Sequence, residues 1–257
     1  MTKLTRRQIE DHLAVMGYIK LQSRDLQGLD LSGLNLAGAN FSGADLSNAN
    51  LNRSILVDAF LIDVNFSHAN LAGADMSEAE LSGTVNLSHA DLRGAKLEGA
   101  DLEGADLSHA KLNGADFSRA NLNNANLDQA LLSNTDLLEG TNLNRATLNG
   151  ANLSRCDLQG TNLRGSDLSR ANLSGAKLMN ADLRRANLSE VNLSQADLKN
   201  ADLGRADLRG ANLNGTDLSL AILRGSELTG AHYDEQTKWP KGLMPDVAGA
   251  VLDGSES

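Results

Sequence analysis

The chain has 257 residues, a formal net charge of −10 and a hydrophobic content of 41%, whereas only 3% of its residues are aromatic. This hydrophobic content is too high for a disordered chain, and the acidic charge argues against general affinity for nucleic acid, which needs clustered lysines and arginines. Because a single cysteine excludes an intrachain disulfide and no apolar run is long enough to span a membrane, we expect a cytoplasmic protein that binds neither membranes nor nucleic acid.

The pattern of residues 5–19 predicts a short amphipathic helix. Thr5 is a suitable N-cap, and Gly17 is a suitable helix stop. The apolar residues between them are spaced by four and by three: Ile9, Leu13 and Met16. We expect the segment 1–22 to form a helical cap over the open edge of the structure that follows.

A five-residue unit then repeats from about residue 24 to residue 233, as in ADLRG-AKLEG-ADLEG-ADLSH from Ala90 onward. Each unit has a small residue, a polar residue, a large apolar residue and two variable positions. The central apolar position is Leu, Phe or Met throughout, in roughly 40 units. Single extra residues near Thr84 and near Leu138 shift the register.

A period of five fits neither a helix nor a continuous strand. Five residues advance an α-helix by roughly 140°, so the leucines would spiral around it, and on a strand an odd period would alternate between the two faces. Each unit must therefore be a short straight edge followed by a corner, so that every central residue points at one axis. This is the sequence signature of a solenoid.

The first position of each unit also points inward and must be small where edges meet. It is nearly always Ala, with small substitutes at Ser54, Thr135, Thr141, Cys156, Thr161, Ser166, Thr216 and Ser226. Cys156 should therefore be buried and inert. Gly or Asn in the last position suits a corner that needs a positive φ.

Tandem A(D/N)LxG units resemble the pentapeptide-repeat family over about 80% of the chain. The resemblance implies an all-β fold, a right-handed quadrilateral β-helix with four units per coil and about ten coils, hence a rod of about 50 Å. It divides the chain into an N-terminal helical cap (1–22), the repeat β-helix (23–233) and a C-terminal cap and tail (234–257). The segment YDEQTKWPKGL also resembles the tail of many cyanobacterial members. We expect a frayed end after a cap packed by three residues: Trp239, Leu243 and Met244.

Outward positions that depart from the repeat predict three surfaces. The first is an outward apolar patch, which either docks a partner protein or is covered by the N-terminal segment or a neighbouring protomer: Ile55, Val57, Phe60 and Ile62. The second is a histidine ladder, a weak candidate for a metal site: His68, His89 and His109. The third is a basic cluster, which is either internally paired with Asp182 and Asp202 or a surface for an acidic partner: Arg164, Arg184, Arg185, Arg205 and Arg224.

Two further rows of outward residues follow from the same spacing. The acidic row consists of Asp116, Asp136, Asp157, Asp197 and Asp217. The asparagine row, which we expect to form hydrogen bonds between coils, consists of Asn152, Asn172, Asn192 and Asn212.

The sequence contains no P-loop and no metalloprotease helix motif, so we expect neither enzymatic activity nor a cofactor. We interpret the chain as a non-enzymatic scaffold or regulator that binds another protein and is itself a monomer or weak dimer. Resemblance to cyanobacterial members of the family implies a role in cell differentiation or signalling. The alternative that the family implies is a DNA mimic that binds a type II topoisomerase (gyrase). Net acidity and rod shape favour this alternative, and the basic cluster counts against it.

Overall fold

The computed structural model describes residues 4–133, 135 and 141–253. It consists of one helix, α1 (Arg6–Met16), followed by a long stack of very short strands. Near the end of the chain, β1 (His232–Tyr233) and β2 (Val251–Leu252) form a parallel pair of two residues each. Within the described ranges, no helix is long and apolar enough to cross a membrane.

Parallel backbone pairings join the second position of each unit to the equivalent position one coil later. Their register is 20 residues, as between Asn50 and Asn70, or 21 residues where a coil has an extra residue, as between Asn65 and Asn86. Since a unit has five residues, each coil has four edges, and four ladders run along the rod. We name them ladders A to D after their first members: Lys20, Asp25, Asp30 and Asn35.

The core consists of the residues that the repeat places inward. Central residues such as Leu107 and first-position residues such as Ala105 are completely buried. Polar substitutes in the first position bond to nearby carbonyl oxygens, as the Ser54 hydroxyl does to the Leu51 carbonyl at 2.8 Å. Cys156 is buried as predicted, with its Sγ 2.8 Å from a carbonyl oxygen. The prediction of a Leu and Ala core is therefore confirmed.

Each corner is a tight turn with a recurring set of hydrogen bonds. The amide of Ala74 donates to the carbonyl of Leu71 at 2.9 Å, and the residue before it, Gly73, has a φ of 65°. A positive φ at the third residue is typical of a type II turn. The second-position side chain also accepts from an amide two residues on, as Asp45 does from Ser47 at 2.9 Å. This bond explains why the second position is so often Asp or Asn.

The extra residue near Thr84 is absorbed at a corner. There, Asp63 of the preceding coil accepts hydrogen bonds from the amide and hydroxyl of Thr84, at 2.8 and 2.9 Å. Both bonds favour the carboxylate and hold the pKa of Asp63 below its usual value. The extra residue near Leu138 lies outside the described residues, but the pairing of Leu131 with Asn152 keeps the ladders in phase across it.

Helix α1 begins and ends where the sequence predicts. Thr5 and Gln8 form a capping box, and Gly17 ends the helix with a φ of 72°. Ile9 is buried in the repeat core, and Leu13 packs against it. Met16 is exposed, so its predicted role in packing is wrong, because the contact ends one turn before the helix does.

The ladders continue beyond the predicted end of the repeat. Lys238 pairs with Asp217, and Trp239 then packs edge-on against Tyr233 with ring centroids 5.5 Å apart. The chain next folds back so that the Val251 amide donates to the Ala231 carbonyl at 2.7 Å. The predicted frayed tail is therefore wrong up to residue 253, because β2 adds another rung to ladder C.

The predicted packing of the C-terminal segment is only partly correct. Trp239 and Leu243 pack against the core, whereas Met244 is exposed. The Leu243 amide closes a turn by donating to the Pro240 carbonyl at 3.2 Å, and Met244 follows that turn on the solvent side.

Candidate partner-binding surfaces

The outward apolar patch lies across one corner of the rod. Ile55 on ladder D and Phe60 on ladder A are 41% and 45% exposed. Val57 and Ile62 follow them at the corners and are partly buried. The structure thus places all four predicted residues in two consecutive units, next to one another.

Polar residues border this patch on the neighbouring coils. Ile55 lies between Asn35 and Asp75 on its ladder, and Phe60 lies between Asn40 and Glu80. Ile55 and Phe60 stay exposed although α1 is in place. The expectation that the N-terminal segment covers the patch therefore does not hold for the described part of that segment.

Phe60 is in an unusual environment for this protein. The chain has four phenylalanines, and the other three, Phe41, Phe66 and Phe117, are completely buried. A cluster of exposed apolar side chains with a polar border is typical of a protein-binding surface.

The histidine ladder forms as predicted, but its geometry is that of stacked rings. His68, His89 and His109 lie at successive corners after ladder B, with ring centroids 4.8 and 4.7 Å apart and interplanar angles of 5° and 2°. Nitrogens bound to one Zn²⁺ must converge to about 2.0–2.1 Å from it, which parallel rings at this spacing do not allow. No group of three or more His, Cys, Asp or Glu suited to a metal occurs among the residues that the structure describes.

The five arginines of the basic cluster come together at the corner that follows ladder A. Arg164, Arg184 and Arg224 occupy fourth positions in their units, and Arg185 and Arg205 occupy fifth positions. They line a cleft with a volume of about 670 Å³, which we call the arginine cleft. Gly204, Gly225, Asp202 and Ile222 complete its lining.

Only one of these arginines is firmly paired. Arg184 forms a bidentate contact with Asp182 and approaches Asp202 at 3.7 Å. The hydrogen bond from Arg184 lowers the pKa of Asp182, and the same contact raises the pKa of the guanidinium. Within the described part of the chain, the other four arginines form no ion pair. Internal pairing, one of the two interpretations of the cluster, thus applies to Arg184 alone.

Sequence reasoning missed two features of this corner. Arg145 lies at the same corner one coil earlier, where its amide donates to the Arg164 carbonyl at 3.0 Å. It lies two 20-residue steps before Arg185 in the same uninterrupted register, so the count of units was sufficient to find it. The second feature is Gly204, which occupies a fourth position between two arginines and leaves the cleft open.

The predicted acidic row is a mixed row of both charges. On ladder D, Lys177 pairs with Asp157 at 3.0 Å, and Lys238 pairs with Asp217 at 3.1 Å. Asp136 lies outside the described residues. In the asparagine row, side-chain amides bond between coils at 3.5 and 3.3 Å along Asn152, Asn172 and Asn192, which confirms the prediction for these three. The Asn212 side chain accepts from the Asn214 amide at 3.1 Å.

The chain matches the family model for pentapeptide repeats in eight copies, over residues 20–53, 59–99, 100–137, 138–170, 166–205 and 201–232. It is 38% identical to HetL, a pentapeptide repeat protein involved in heterocyst differentiation regulation from the cyanobacterium Nostoc sp. strain PCC 7120. This match covers 96% of the chain and 99% of HetL, with a TM-score of 0.43.

Two further solved structures are similar. QnrB1, a plasmid-mediated fluoroquinolone resistance protein, is 21% identical in its trypsin-treated form, over 78% of this chain and 90% of its own, with a TM-score of 0.50. The pentapeptide repeat protein alr5209 from Nostoc PCC 7120 is 42% identical over 42% of this chain and 85% of its own, with a TM-score of 0.26. A comparison with curated proteins gave no match. The chain therefore belongs to the pentapeptide-repeat family, whose fold is the right-handed β-helix.

Proposed function

We propose that this protein is a non-enzymatic scaffold or regulator that binds another protein through the outward apolar patch. The observation that carries the proposal is the exposure of Ile55 and Phe60 side by side, with partly buried Val57 and Ile62 beside them, in one cluster of four apolar side chains with a polar border. Full burial of an exposed side chain of this type is worth about 1.5–3 kcal/mol. Ile55 and Phe60 are already more than half buried, so a partner that covers the rest gains less than half of that from each.

The similarity to HetL supports a regulatory role. HetL is involved in the regulation of heterocyst differentiation, and the identity extends over nearly the whole of both chains. We propose a comparable role for this protein in cyanobacterial cell differentiation or signalling, in the cytoplasm, as a monomer or weak dimer. In the same proposal, segment 1–22 caps about ten coils (23–233), and residues 234–257 cap the other end.

The DNA-mimic alternative rests on the net charge of −10 and the rod shape. A DNA mimic presents regular rows of unpaired carboxylates, whereas lysines neutralise the aspartates of ladder D. The arginine cleft also places positive charge on one side of the rod. We therefore favour the scaffold. Inhibition of gyrase supercoiling by the purified protein at equimolar ratio would reverse this preference.

A comparative pull-down from the native cytosol tests the apolar patch. The bait variant carries Ile55→Asp, Phe60→Asp and Ile62→Asp, and the matched control carries Leu131→Asp. Leu131 is a suitable control because it is 41% exposed on ladder C, away from the patch. We expect a partner that is retained by the wild-type protein and by the Leu131 variant but lost from the triple variant. Identical partner sets from all three baits would contradict the proposal.

A further inference from the structure

We propose that the arginine cleft binds an acidic peptide segment of a partner protein. This site is separate from the outward apolar patch and does not depend on it. The argument rests on the shape of the cleft, its uncompensated charge and its apolar wall.

The shape of the cleft comes from one missing side chain. Along the corner after ladder A, Gly204 stands between Arg184 and Arg224, one coil from each. Coils are ~4.8 Å apart, so the backbone positions of Arg184 and Arg224 are about 10 Å apart and the corner between them carries no side chain. Gly204 is therefore the floor of an open notch whose two walls are guanidinium side chains.

The backbone does not require glycine at this position. Gly204 lacks the positive φ that most glycines of the repeat adopt. Its amide donates to Asp202 at 2.9 Å, as the amide of Arg184 donates to Asp182 at 3.1 Å. The corner thus has the same backbone with and without a side chain. What the glycine contributes is space.

The charge of the cleft is not balanced by its own residues. Five arginines face two carboxylates, Asp182 and Asp202, which leaves an excess of three positive charges. The local excess is opposite in sign to the net charge of the whole chain. Arg185 and Arg205 lie on successive coils, since the Arg185 amide donates to the Gly204 carbonyl at 3.0 Å. Like charges this close repel each other, and a bound anion would relieve that repulsion.

An apolar side chain borders the charged residues. Ladder A carries Asp182 and Asp202 and then Ile222, which is 52% exposed and lines the cleft. Exposed Leu220 lies two residues earlier, at the corner between ladder D and ladder A. The lining contains no aromatic side chain, so it lacks the stacking platforms on which single-stranded nucleic acids depend.

These features fit a short peptide that carries carboxylates and an apolar residue. Guanidinium groups bind carboxylates through two parallel hydrogen bonds, and Ile222 offers contact to an aliphatic side chain. The lining arginines extend from the coil of Arg164 to that of Arg224, about 14 Å at the coil spacing. An extended peptide covers this distance with about four or five residues.

Fluorescence anisotropy with full-length protein tests the site. The probe is a fluorescein-labelled ten-residue peptide of glutamates with one central leucine, and a peptide with glutamine in place of glutamate is the control. One protein variant carries Arg185→Glu with Arg205→Glu, and a second carries Gly204→Gln, which fills the notch without a change of charge. The charge-matched control carries Arg53→Glu with Arg155→Glu, two exposed fifth-position arginines at the corner after ladder C.

We expect the wild-type protein and the Arg53/Arg155 variant to bind the glutamate peptide equally and the glutamine peptide not at all. The Arg185/Arg205 variant should bind about tenfold more weakly, and Gly204→Gln should also weaken binding at unchanged Tm. Equal binding by the Arg185/Arg205 variant would overturn the proposal. So would displacement of the peptide by equimolar pyrophosphate, or tighter binding of a ten-nucleotide single strand. Because the Ile55/Phe60/Ile62 variant should bind the peptide normally, failure at either surface is distinguishable from failure at the other.

Discussion

At the scale of single residues, the second position of the unit contributes most to holding the corners and the coils together. Its Asp or Asn closes the corner that follows and also meets its neighbours on the adjacent coils. Asp217 is the clearest case, because it accepts hydrogen bonds from the Ser219 amide at 3.1 Å and from Lys238 at 3.1 Å. Burial by itself would raise the pKa of Asp217, but the bonds from Ser219, Lys238 and Lys199 outweigh burial and hold that pKa well below the usual value.

This depressed pKa predicts how stability depends on pH. Because the folded pKa of Asp217 lies below the unfolded value of about 3.9, its carboxylate stabilises the fold above that value. The stabilisation is lost as the pH falls toward the folded pKa. We expect Tm to fall as the pH is lowered from about 5 to about 2, and to fall less in Asp217→Asn, whose amide oxygen still accepts from Ser219. An unchanged pH dependence of Tm in this variant would contradict the assignment.

The core makes a second prediction at the residue scale. Leu107 is completely buried at a central position. Because the coils on either side are held at a fixed spacing, they cannot move in to fill a cavity left by a smaller side chain. Leu107→Ala should therefore lower the free energy of unfolding by about 2–5 kcal/mol, whereas Leu107→Met should cost under about 1.5 kcal/mol. Urea denaturation followed by circular dichroism measures both. Equal losses in the two variants would mean that the site is not closely packed.

At the scale of elements, the sequence predicts the start and stop of α1 because its caps are local signals. Thr5 and Gly17 act through bonds to residues three or four positions away. The exposure of Met16 was not predictable in this way, because it depends on where the surface under the helix ends. Strand β2 was missed for a related reason: Val251–Leu252 follows no repeat and pairs only because β1 offers an open edge.

The pairing of β2 with β1 predicts that the C-terminal segment is held in part by the Val251 amide, beside the Asp253 amide that donates to the Tyr233 carbonyl at 2.7 Å. The Val251 amide donates to Ala231 at 2.7 Å, and proline at this position has no amide hydrogen. Val251→Pro should therefore loosen the segment and speed trypsin cleavage after exposed Lys241. Val251→Ala keeps the amide and is the matched control. Equal cleavage rates in the two variants would show that the pairing does not hold the segment.

Prediction of the candidate surfaces succeeded where it needed only the count of units. Ile55 and Phe60 are adjacent because they belong to consecutive units, and the three histidines stack because they share a corner. The prediction failed where the pairing of a side chain depends on its neighbours on other coils. Two of the lysines that neutralise the acidic row, Lys177 and Lys238, come from the same ladder, 20 or 21 residues from their aspartates. Likewise, Gly204 forms a notch only because arginines lie one coil before it and one coil after it.

At the scale of the whole molecule, every coil is held by the coil before it and the coil after it. Backbone bonds such as that from the Asn50 amide to the Leu29 carbonyl, at 2.9 Å, connect adjacent coils only. The stability of such an array is close to a sum over coils and their contacts. The extra residue at Thr84 is tolerated because Asp63 closes the corner around it, and the ladders beyond it remain in phase.

The register of 20 residues has a consequence for how such a protein changes its length. Phe60 and Ile222 both belong to ladder A, so the apolar patch and the arginine cleft open toward the same side of the rod. A gain or loss of four units would move the two surfaces apart or together without turning either one. A gain or loss of a single unit would rotate all the coils that follow it by a right angle about the axis of the rod. The number of coils thus sets the distance between the surfaces, and the number of units sets their relative direction.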